Sequence, residues 1–219
     1  MEFGYWPIKG RVHFIRWLIA YLGENWVEVN PDSMEAWQQR KDQLIGSYPF
    51  INLPYCKDGD TIVSETDAVS LYIIMRAERR DLLGKTGHDV IHHRTLQSYI
   101  QEMRNFALGL LSKERSYIKG NFVKTAKQKI GYKLATIQSF LGSRKFLMGY
   151  LTLADFELAH VIELFQWLCD KTCTENPFTY FPKLVEINFR IKELNGVKQF
   201  CSTDKENIPF FPKGYAKFD

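Results

Sequence analysis

The stretch Gly4-Tyr5-Trp6-Pro7-Ile8-Lys9-Gly10-Arg11 near the N-terminus decides how this chain is interpreted. It overlaps a short apolar strand predicted over Phe3–Ile8 and runs into an amphipathic helix predicted over Val12–Leu22. A tyrosine, a glycine-containing turn and an arginine therefore surround the start of the first helix. A phenol, a cation and a helix N-terminus are groups that stabilise a small anion such as a thiolate.

Size and composition restrict the class of protein. The chain has 219 residues, 45% hydrophobic and 25% charged, which fits an ordinary soluble globular protein of one large or two small domains. No apolar run approaches the roughly 18–20 residues of a membrane span, and no secretory signal is recognisable. The net charge is +4, and the basic residues of the C-terminal half follow helical spacing. We therefore expect solvated helix faces and no nucleic-acid partner.

The four cysteines are too sparse for a disulfide scaffold. Cys169 and Cys173 have no further cysteine or histidine at a metal-ligand spacing, and adjacent rings such as His92 and His93 diverge on a helix. We therefore expect no metal site and a reducing, cytoplasmic setting.

The first eighty residues alternate strand and helix signals in the order βαβαββα. After the first strand and helix, the patterns predict a strand over Trp26–Val29, a helix over Met34–Leu44, a hairpin with an Asp-Gly turn at 57–60, and a helix over Thr66–Met75. This part of the chain, residues 1–80, is predicted to be an α/β domain.

The character of the chain changes after Arg80. Residues 81–88 contain two glycines and are interpreted as a linker, and long helical patterns follow at 89–112, 121–141, 153–168 and 182–194. The predicted fold class is α/β plus all-α, with an all-helical domain and a C-terminal tail over residues 89–219.

The segment Thr152-Leu153-Ala154-Asp155 predicts a well-defined helix start. A threonine followed three residues later by an acid forms a capping box, and Leu151 before it can act as a hydrophobic staple. Such a signal suits a helix in the middle of a domain, where bare N–H groups cannot reach water. We assign this segment a structural role.

Five motifs, in the correct order and at the expected separations, together resemble the cytosolic glutathione transferases over nearly the whole chain. They are Tyr5-Trp6 with Gly10-Arg11 and Ile15-Arg16-Trp17-Leu18; Leu53-Pro54-Tyr55; Ser64-Glu65-Thr66-Asp67-Ala68-Val69 with Tyr72-Ile73; Gly149-Tyr150-Leu151-Thr152-Leu153-Ala154-Asp155-Phe156; and Phe181-Pro182-Lys183-Leu184. The resemblance implies a thioredoxin-like N-terminal domain, a helical C-terminal domain and a homodimer. The resemblance is to transferases of the tyrosine type. Tyr5-Trp6 and Asn207-Ile208-Pro209 resemble the mu class, whereas Arg11 and Thr66 resemble the alpha or sigma class.

The resemblance also implies a glutathione site. It assigns to glutathione the residues Tyr5, Trp6, Trp37, Lys41, Leu53, Pro54, Glu65 and Thr66. In this assignment the Tyr5 hydroxyl donates to the glutathione sulfur, and Arg11 lies beside it. Trp37 and Lys41 hold the glycine carboxylate, the backbone of Leu53 before a cis-proline pairs with the cysteinyl part, and Glu65 and Thr66 bind the γ-glutamyl end.

Elementary chemistry agrees with this placement. Thr66 begins a predicted helix, so its hydroxyl and N–H offer a carboxylate site at the positive end of the helix dipole. Glu65 supplies the charge opposite to an ammonium, and Lys41 supplies a cation for the far carboxylate. The site needs no metal or organic cofactor, because glutathione itself is the co-substrate.

The residue lent to the partner subunit and the residues of the electrophile pocket have alternative interpretations. Glu102 is the candidate for an acid lent to the partner subunit, although the alignment can slide to Asn105. The residues proposed to line a pocket for a hydrophobic electrophile are Phe106, Leu110, Tyr117 and Phe210. Each site residue also has a structural interpretation: Tyr5 and Trp37 as packing aromatics, Arg11 and Lys41 as solvated cations, Glu65 and Thr66 as an ordinary helix start.

Three functions remain open on the sequence. The first is an enzyme of detoxification that conjugates glutathione to hydrophobic electrophiles through a thiolate stabilised by Tyr5. The second is a glutathione-dependent isomerase of prostanoid-like substrates. The third is a transferase-like binding or structural subunit without turnover.

Overall fold

A four-stranded mixed sheet, in the order β2-β1-β3-β4, forms the frame of the N-terminal part in a computed structural model that describes residues 1–218, except for the side chain of Val123. The strands are β1 (Glu2–Gly4), β2 (Val27–Val29), β3 (Tyr55–Asp58) and β4 (Thr61–Ser64). β1 is parallel to β2 and antiparallel to β3, and β3 and β4 form the hairpin predicted around the Asp-Gly turn. This is the thioredoxin-like arrangement that the sequence implies.

Three helices complete the predicted βαβαββα order: α1 (His13–Leu22), α2 (Met34–Ile45) and α3 (Thr66–Arg76). α1 buries a continuous apolar face that includes Phe14, Trp17 and Leu18, and it ends at Gly23 in the left-handed region. The first strand is shorter than predicted, because it ends at Gly4 instead of Ile8. Pro7 has no N–H for a strand ladder, so the chain turns before it.

The second half of the chain is helical, as predicted. Its helices are α4 (Gly87–Gly109), α5 (Arg115–Ala126), α6 (Tyr132–Leu141), α7 (Leu153–Thr172), α8 (Pro182–Lys192) and α9 (Asn195–Cys201). A π-helical turn over Lys127–Gly131 joins α5 to α6. The helix predicted over 121–141 therefore consists of two helices and this turn, and it begins earlier than predicted, at Arg115. Short 3-10 turns lie at Arg80–Leu83 and Pro177–Tyr180.

α7 is the central helix of the helical unit and is buried along most of its length. The predicted capping box is confirmed: Asp155 accepts from the N–H and the hydroxyl of Thr152 at 2.8 and 2.9 Å, and from the N–H of Leu147 at 2.8 Å. Asp155 is fully buried, and burial raises the pKa of its carboxyl to about 6.

The described residues cluster into two units. One consists of Met1–Arg79 with Asn195–Phe210, and the other of Arg80–Leu194 with the segment that starts at Phe211. The predicted division into domains, with a linker at residues 81–88, stays a prediction. That prediction placed Asn195–Phe210 in the helical domain, whereas the clustering places this segment with Met1–Arg79. Within residues 1–218, no helix is long and apolar enough to cross a membrane.

Candidate active site

The site is built around Tyr5, directly after β1. Tyr5 is 7% exposed, and its hydroxyl oxygen accepts a hydrogen bond from the backbone N–H of Arg11 at 3.3 Å. Gly10 makes this contact possible, because a Cβ at that position would lie 2.6 Å from the phenol oxygen. Arg11 was predicted for the charge of its side chain, and in the structure its side chain is exposed while its backbone contacts Tyr5.

A buried cation supports the segment that follows Tyr5. The guanidinium of Arg16 forms an ion pair with Glu28 at 2.5 Å and donates to the carbonyls of Ile8 and Trp6 at 2.8 and 3.2 Å. It also lies 5.9 Å from the centre of the Tyr5 ring. Arg16 was part of a sequence motif without an assigned role, and the structure shows that it holds the turn between β1 and α1.

Three of the predicted glutathione residues share one hydrophobic cluster. Trp37 is buried and stacks against Tyr55 with ring centres 6.3 Å apart, and Trp6 and Leu53 pack against the same cluster. Lys41 lies one helical turn after Trp37 on α2 and is partly exposed. The structure therefore brings the side chains of Trp6, Trp37 and Leu53 together, with a cation on the same face of α2.

The start of α3 has an unusual backbone geometry. The Leu53–Pro54 peptide bond is cis, and the Pro54 carbonyl accepts from the N–H of Glu65 at 3.2 Å. Glu65 has a φ of 75°, which is rare for a residue with a side chain and marks stored strain. Thr66 is the first residue of α3, so the exposed side chain of Glu65 and the helix N-terminus lie next to each other.

Sequence reasoning missed Asn52. Its amide donates to the Glu65 carboxylate at 3.4 Å, so it contacts the side chain predicted to meet an ammonium. The position directly before the Leu53-Pro54 motif is the only signal for it in the sequence.

The remaining predicted residues lie in both units. Glu102, on α4, is exposed and forms an ion pair with Lys133 at 2.9 Å. Phe106 stacks near Phe122 and Phe165, Leu110 is buried, and Tyr117 is 49% exposed, all in the helical unit. Phe210 belongs to the N-terminal unit, where it is buried and accepts from the N–H of Gly10 at 2.9 Å.

A second group that the sequence did not reveal is the cluster around Glu206, in the C-terminal tail. Burial alone would raise the pKa of this carboxyl, but the hydrogen bonds from His13 and Trp17 and the charge of Lys9 outweigh burial and hold the pKa well below its usual range. The carboxylate is therefore ionised inside the N-terminal unit. Burial lowers the pKa of His13 itself to about 4, so near neutral pH the ring acts as a neutral hydrogen-bond donor. Among residues 1–218, no group of three or more His, Cys, Asp or Glu side chains is arranged to hold a metal ion.

A buried tyrosine after the first strand, a cis-proline before the hairpin and a helical C-terminal part agree with the resemblance to the glutathione transferases that the sequence motifs carry. The family comparisons agree: the model of the glutathione S-transferase N-terminal domain matches residues 1–74, and that of the C-terminal domain matches residues 108–204. The chain belongs to the glutathione S-transferase family.

Several similar proteins are named as glutathione S-transferases of the mu class. A class-mu 26 kDa isozyme of Fasciola hepatica is 27% identical over 93% of this chain and 89% of its own length. Glutathione S-transferase Mu 1 of Bos taurus is 28% identical over 94% of this chain and 92% of its own. Among solved structures, the glutathione S-transferase Blo t 8 has a TM-score of 0.79 with 21% identity, and each chain is covered to 99%. That structural likeness concerns the fold alone.

Proposed function

We propose that this chain conjugates the glutathione thiolate to hydrophobic electrophiles, with Tyr5 as the residue that stabilises the thiolate. The observation that carries the proposal is the hydrogen bond from the Arg11 N–H to the buried Tyr5 hydroxyl at 3.3 Å. Because its oxygen accepts from this N–H, the hydroxyl has a fixed position from which its proton can be donated to a sulfur. Pre-oriented donors of this kind stabilise a developing anion without reorganisation.

The hydrogen bond from Tyr5 and the start of α1 can supply the free energy needed to ionise the glutathione thiol. A free thiol with a pKa of about 8.5 is mostly protonated at neutral pH, so it is a weak nucleophile. Lowering that pKa by about two units requires about 2.7 kcal/mol of preference for the thiolate. A charge-assisted hydrogen bond contributes about 1.5–3 kcal/mol, and the positive end of α1 lies directly after Arg11.

The rest of the proposed glutathione site follows from charge complementarity. The N-terminus of α3 at Thr66 and the cation of Lys41 suit the two carboxylates of glutathione, and Glu65 suits its ammonium. Trp6, Trp37 and Leu53 supply an apolar wall, and the backbone of Leu53 before Pro54 supplies peptide-like pairing. Family membership supports glutathione as the ligand.

A homodimer and a reducing compartment belong to the same proposal. Several large apolar side chains are exposed, including Phe50 at 74% and Ile91 at 65%, and a second copy of the chain would cover such surface. None of the four cysteines, which all lie among the described residues, forms a disulfide, and a reducing compartment keeps thiols in that state. The roles of Glu102 at a partner's site and of the four electrophile-pocket residues stay predictions.

The direct test is conjugation of glutathione to 1-chloro-2,4-dinitrobenzene across pH, for the wild type and for Tyr5→Phe. We expect kcat/KM to fall about 10–1000-fold in Tyr5→Phe, with the pH profile shifted upward, because the thiolate loses its donor. Tyr72→Phe is the matched control, since the Tyr72 hydroxyl donates to Asp58 at 3.1 Å. Its activity is expected to stay near that of the wild type.

A wild-type protein that binds glutathione but does not conjugate would refute the proposal. The isomerase and the binding subunit would then be the functions to test, the first with prostanoid-like substrates and the second by isolating protein partners.

A further inference from the structure

The Glu206 carboxylate lies near the C-terminus of the chain, but it is buried against the first loop and the first helix. One oxygen accepts from Nζ of Lys9 at 3.0 Å. The other contacts Nε2 of His13 at 2.8 Å and accepts from Nε1 of Trp17 at 3.1 Å. Glu206 is only 8% exposed. An ionised carboxylate is costly to bury unless its donors are well placed, so these donors fix the tail at one position.

The residues after Glu206 hold the backbone of the loop itself. The N–H of Lys9 donates to the carbonyl of Pro209 at 2.8 Å, and the N–H of Gly10 donates to the carbonyl of Phe210 at 2.9 Å. These two peptide groups directly precede the N–H of Arg11, which donates to the Tyr5 hydroxyl. The tail therefore restrains the peptide groups next to the one that contacts the phenol.

Helix α9 does not need Glu206 for its own packing. Gly196 lies so close to α1 that a Cβ there would be 1.9 Å from the carbonyl oxygen of Ala20, and Val197 and Phe200 are buried. The helix is thus anchored on α1 before the chain reaches Glu206. The Glu206 cluster adds a restraint farther along the tail, at the loop that faces Tyr5.

We propose that Glu206 is a positioning residue for Tyr5, acting through the loop at residues 9–11. By anchoring residues 206–210, its carboxylate fixes the Arg11 N–H against the phenol oxygen. This inference rests on the proposed role of Tyr5, and Glu206 itself does not touch the reacting atoms. A displacement of about 1 Å in a catalytic group can cost about 100-fold in rate, so a loop restraint of this kind has measurable consequences.

The test is Glu206→Gln, which keeps the shape of the side chain but removes the charge that the three donors share. We expect kcat/KM for 1-chloro-2,4-dinitrobenzene to fall about 10–100-fold near neutral pH, with the midpoint of its pH profile shifted upward. The KM for glutathione is expected to change less than about threefold, because Lys41 and Thr66 lie on α2 and α3. Amide hydrogen exchange at Lys9, Gly10 and Arg11 is expected to accelerate.

Two control variants separate positioning from general loss of stability. Glu24→Gln makes the same chemical change at an ion pair with Arg76, and Ile74→Val destabilises the buried core of the same unit. Both are expected to keep the wild-type pH profile. If Glu206→Gln does not fold, Lys9→Met removes one donor from the carboxylate and keeps the apolar stem of the side chain.

The inference and the proposed function fail in different ways. If the wild type does not conjugate, the proposed function fails. The positioning role of Glu206 is then tested by the NMR resonance of the Tyr5 Cζ, which is assigned by its loss in Tyr5→Phe. That resonance and the exchange at Arg11 must change in Glu206→Gln. An unchanged pH profile in an active enzyme, or an unchanged Tyr5 resonance in an inactive one, would overturn the positioning role.

Discussion

The loop glycine Gly10 has a φ of 50°, and a Cβ there would come within 2.6 Å of the Tyr5 hydroxyl oxygen. Gly10→Ala therefore adds both backbone strain and a direct clash with the proposed catalytic group. We expect kcat/KM for conjugation to fall at least about tenfold, together with a loss of about 1 kcal/mol in the free energy of unfolding. Steady-state kinetics and urea denaturation measure the two effects.

Gly23 provides the matched control for this substitution. Its φ is 66°, at the C-terminal end of α1, and the space around its Cβ position is open. Gly23→Ala should show a similar loss of stability with wild-type kinetics. Equal kinetic losses in both variants would mean that strain alone, and not the contact with Tyr5, explains the effect of Gly10→Ala.

The buried histidine His93 predicts a pH-dependent stability. Burial lowers the pKa of His93 to about 4, and both ring nitrogens lack a hydrogen-bond partner among the described residues. Because His93 binds a proton below about pH 6.5 in the unfolded chain but not in the folded chain, its contribution to the free energy of unfolding falls as the pH drops from about 6.5 to 4. The contribution of His93 is about 3 kcal/mol.

His93→Leu removes this titration. Urea denaturation at several pH values should show a smaller loss of stability between about pH 6.5 and 4 than in the wild type. His88→Leu, at an exposed position on the same helix, is the control and should follow the wild type. Parallel curves for the wild type and His93→Leu would contradict the prediction.

Two helices begin with the same capping box in different surroundings. In α7, Asp155 is fully buried and caps Thr152. In the box at the start of α4, Thr86 is exposed and Asp89 is half-buried. Asp155→Ala leaves the buried N–H groups of Leu147 and Thr152 without an acceptor, at about 1–3 kcal/mol each. We expect the free energy of unfolding to fall by about 2–5 kcal/mol, as measured by urea denaturation.

Asp89→Ala, at the start of α4, is the comparison for Asp155→Ala at the start of α7. Water can reach and replace the carboxylate at this partly exposed cap, so the loss is expected to be about 1 kcal/mol. A loss in Asp155→Ala no larger than that in Asp89→Ala would show that burial does not determine the strength of the cap.

We expect the whole molecule to be a homodimer. Phe50 is the most exposed of the large apolar side chains in the described residues, at 74%. If a second copy covers it, Phe50→Ser should shift the molar mass measured by light scattering from dimer toward monomer. Phe189→Ser, at a side chain 64% exposed in the helical unit, is the control and should leave the mass unchanged. A wild type that is monomeric at all concentrations would contradict the homodimer.

The sequence by itself determined the elements whose signals are local. Apolar residues at helical spacing gave α1, α3 and α7, the Asp-Gly turn gave the hairpin, and the spacing of Thr152 and Asp155 gave the cap of α7. The motifs placed Tyr5, Leu53 and Glu65 at the candidate site, and the resemblance that they carry added Trp37. Such features depend on neighbours within a few residues, so their physical cause is present in the sequence.

Only the tertiary structure decided how the tail meets the first loop. Helix α9 has seven residues and contains Gly196, so its own propensity is weak, and its close packing on α1 provides what the local sequence does not. Glu206 then meets His13, 193 positions earlier in the chain. No local pattern encodes such a contact, because it exists only once the packing of α9 has brought the tail to the loop beside Tyr5.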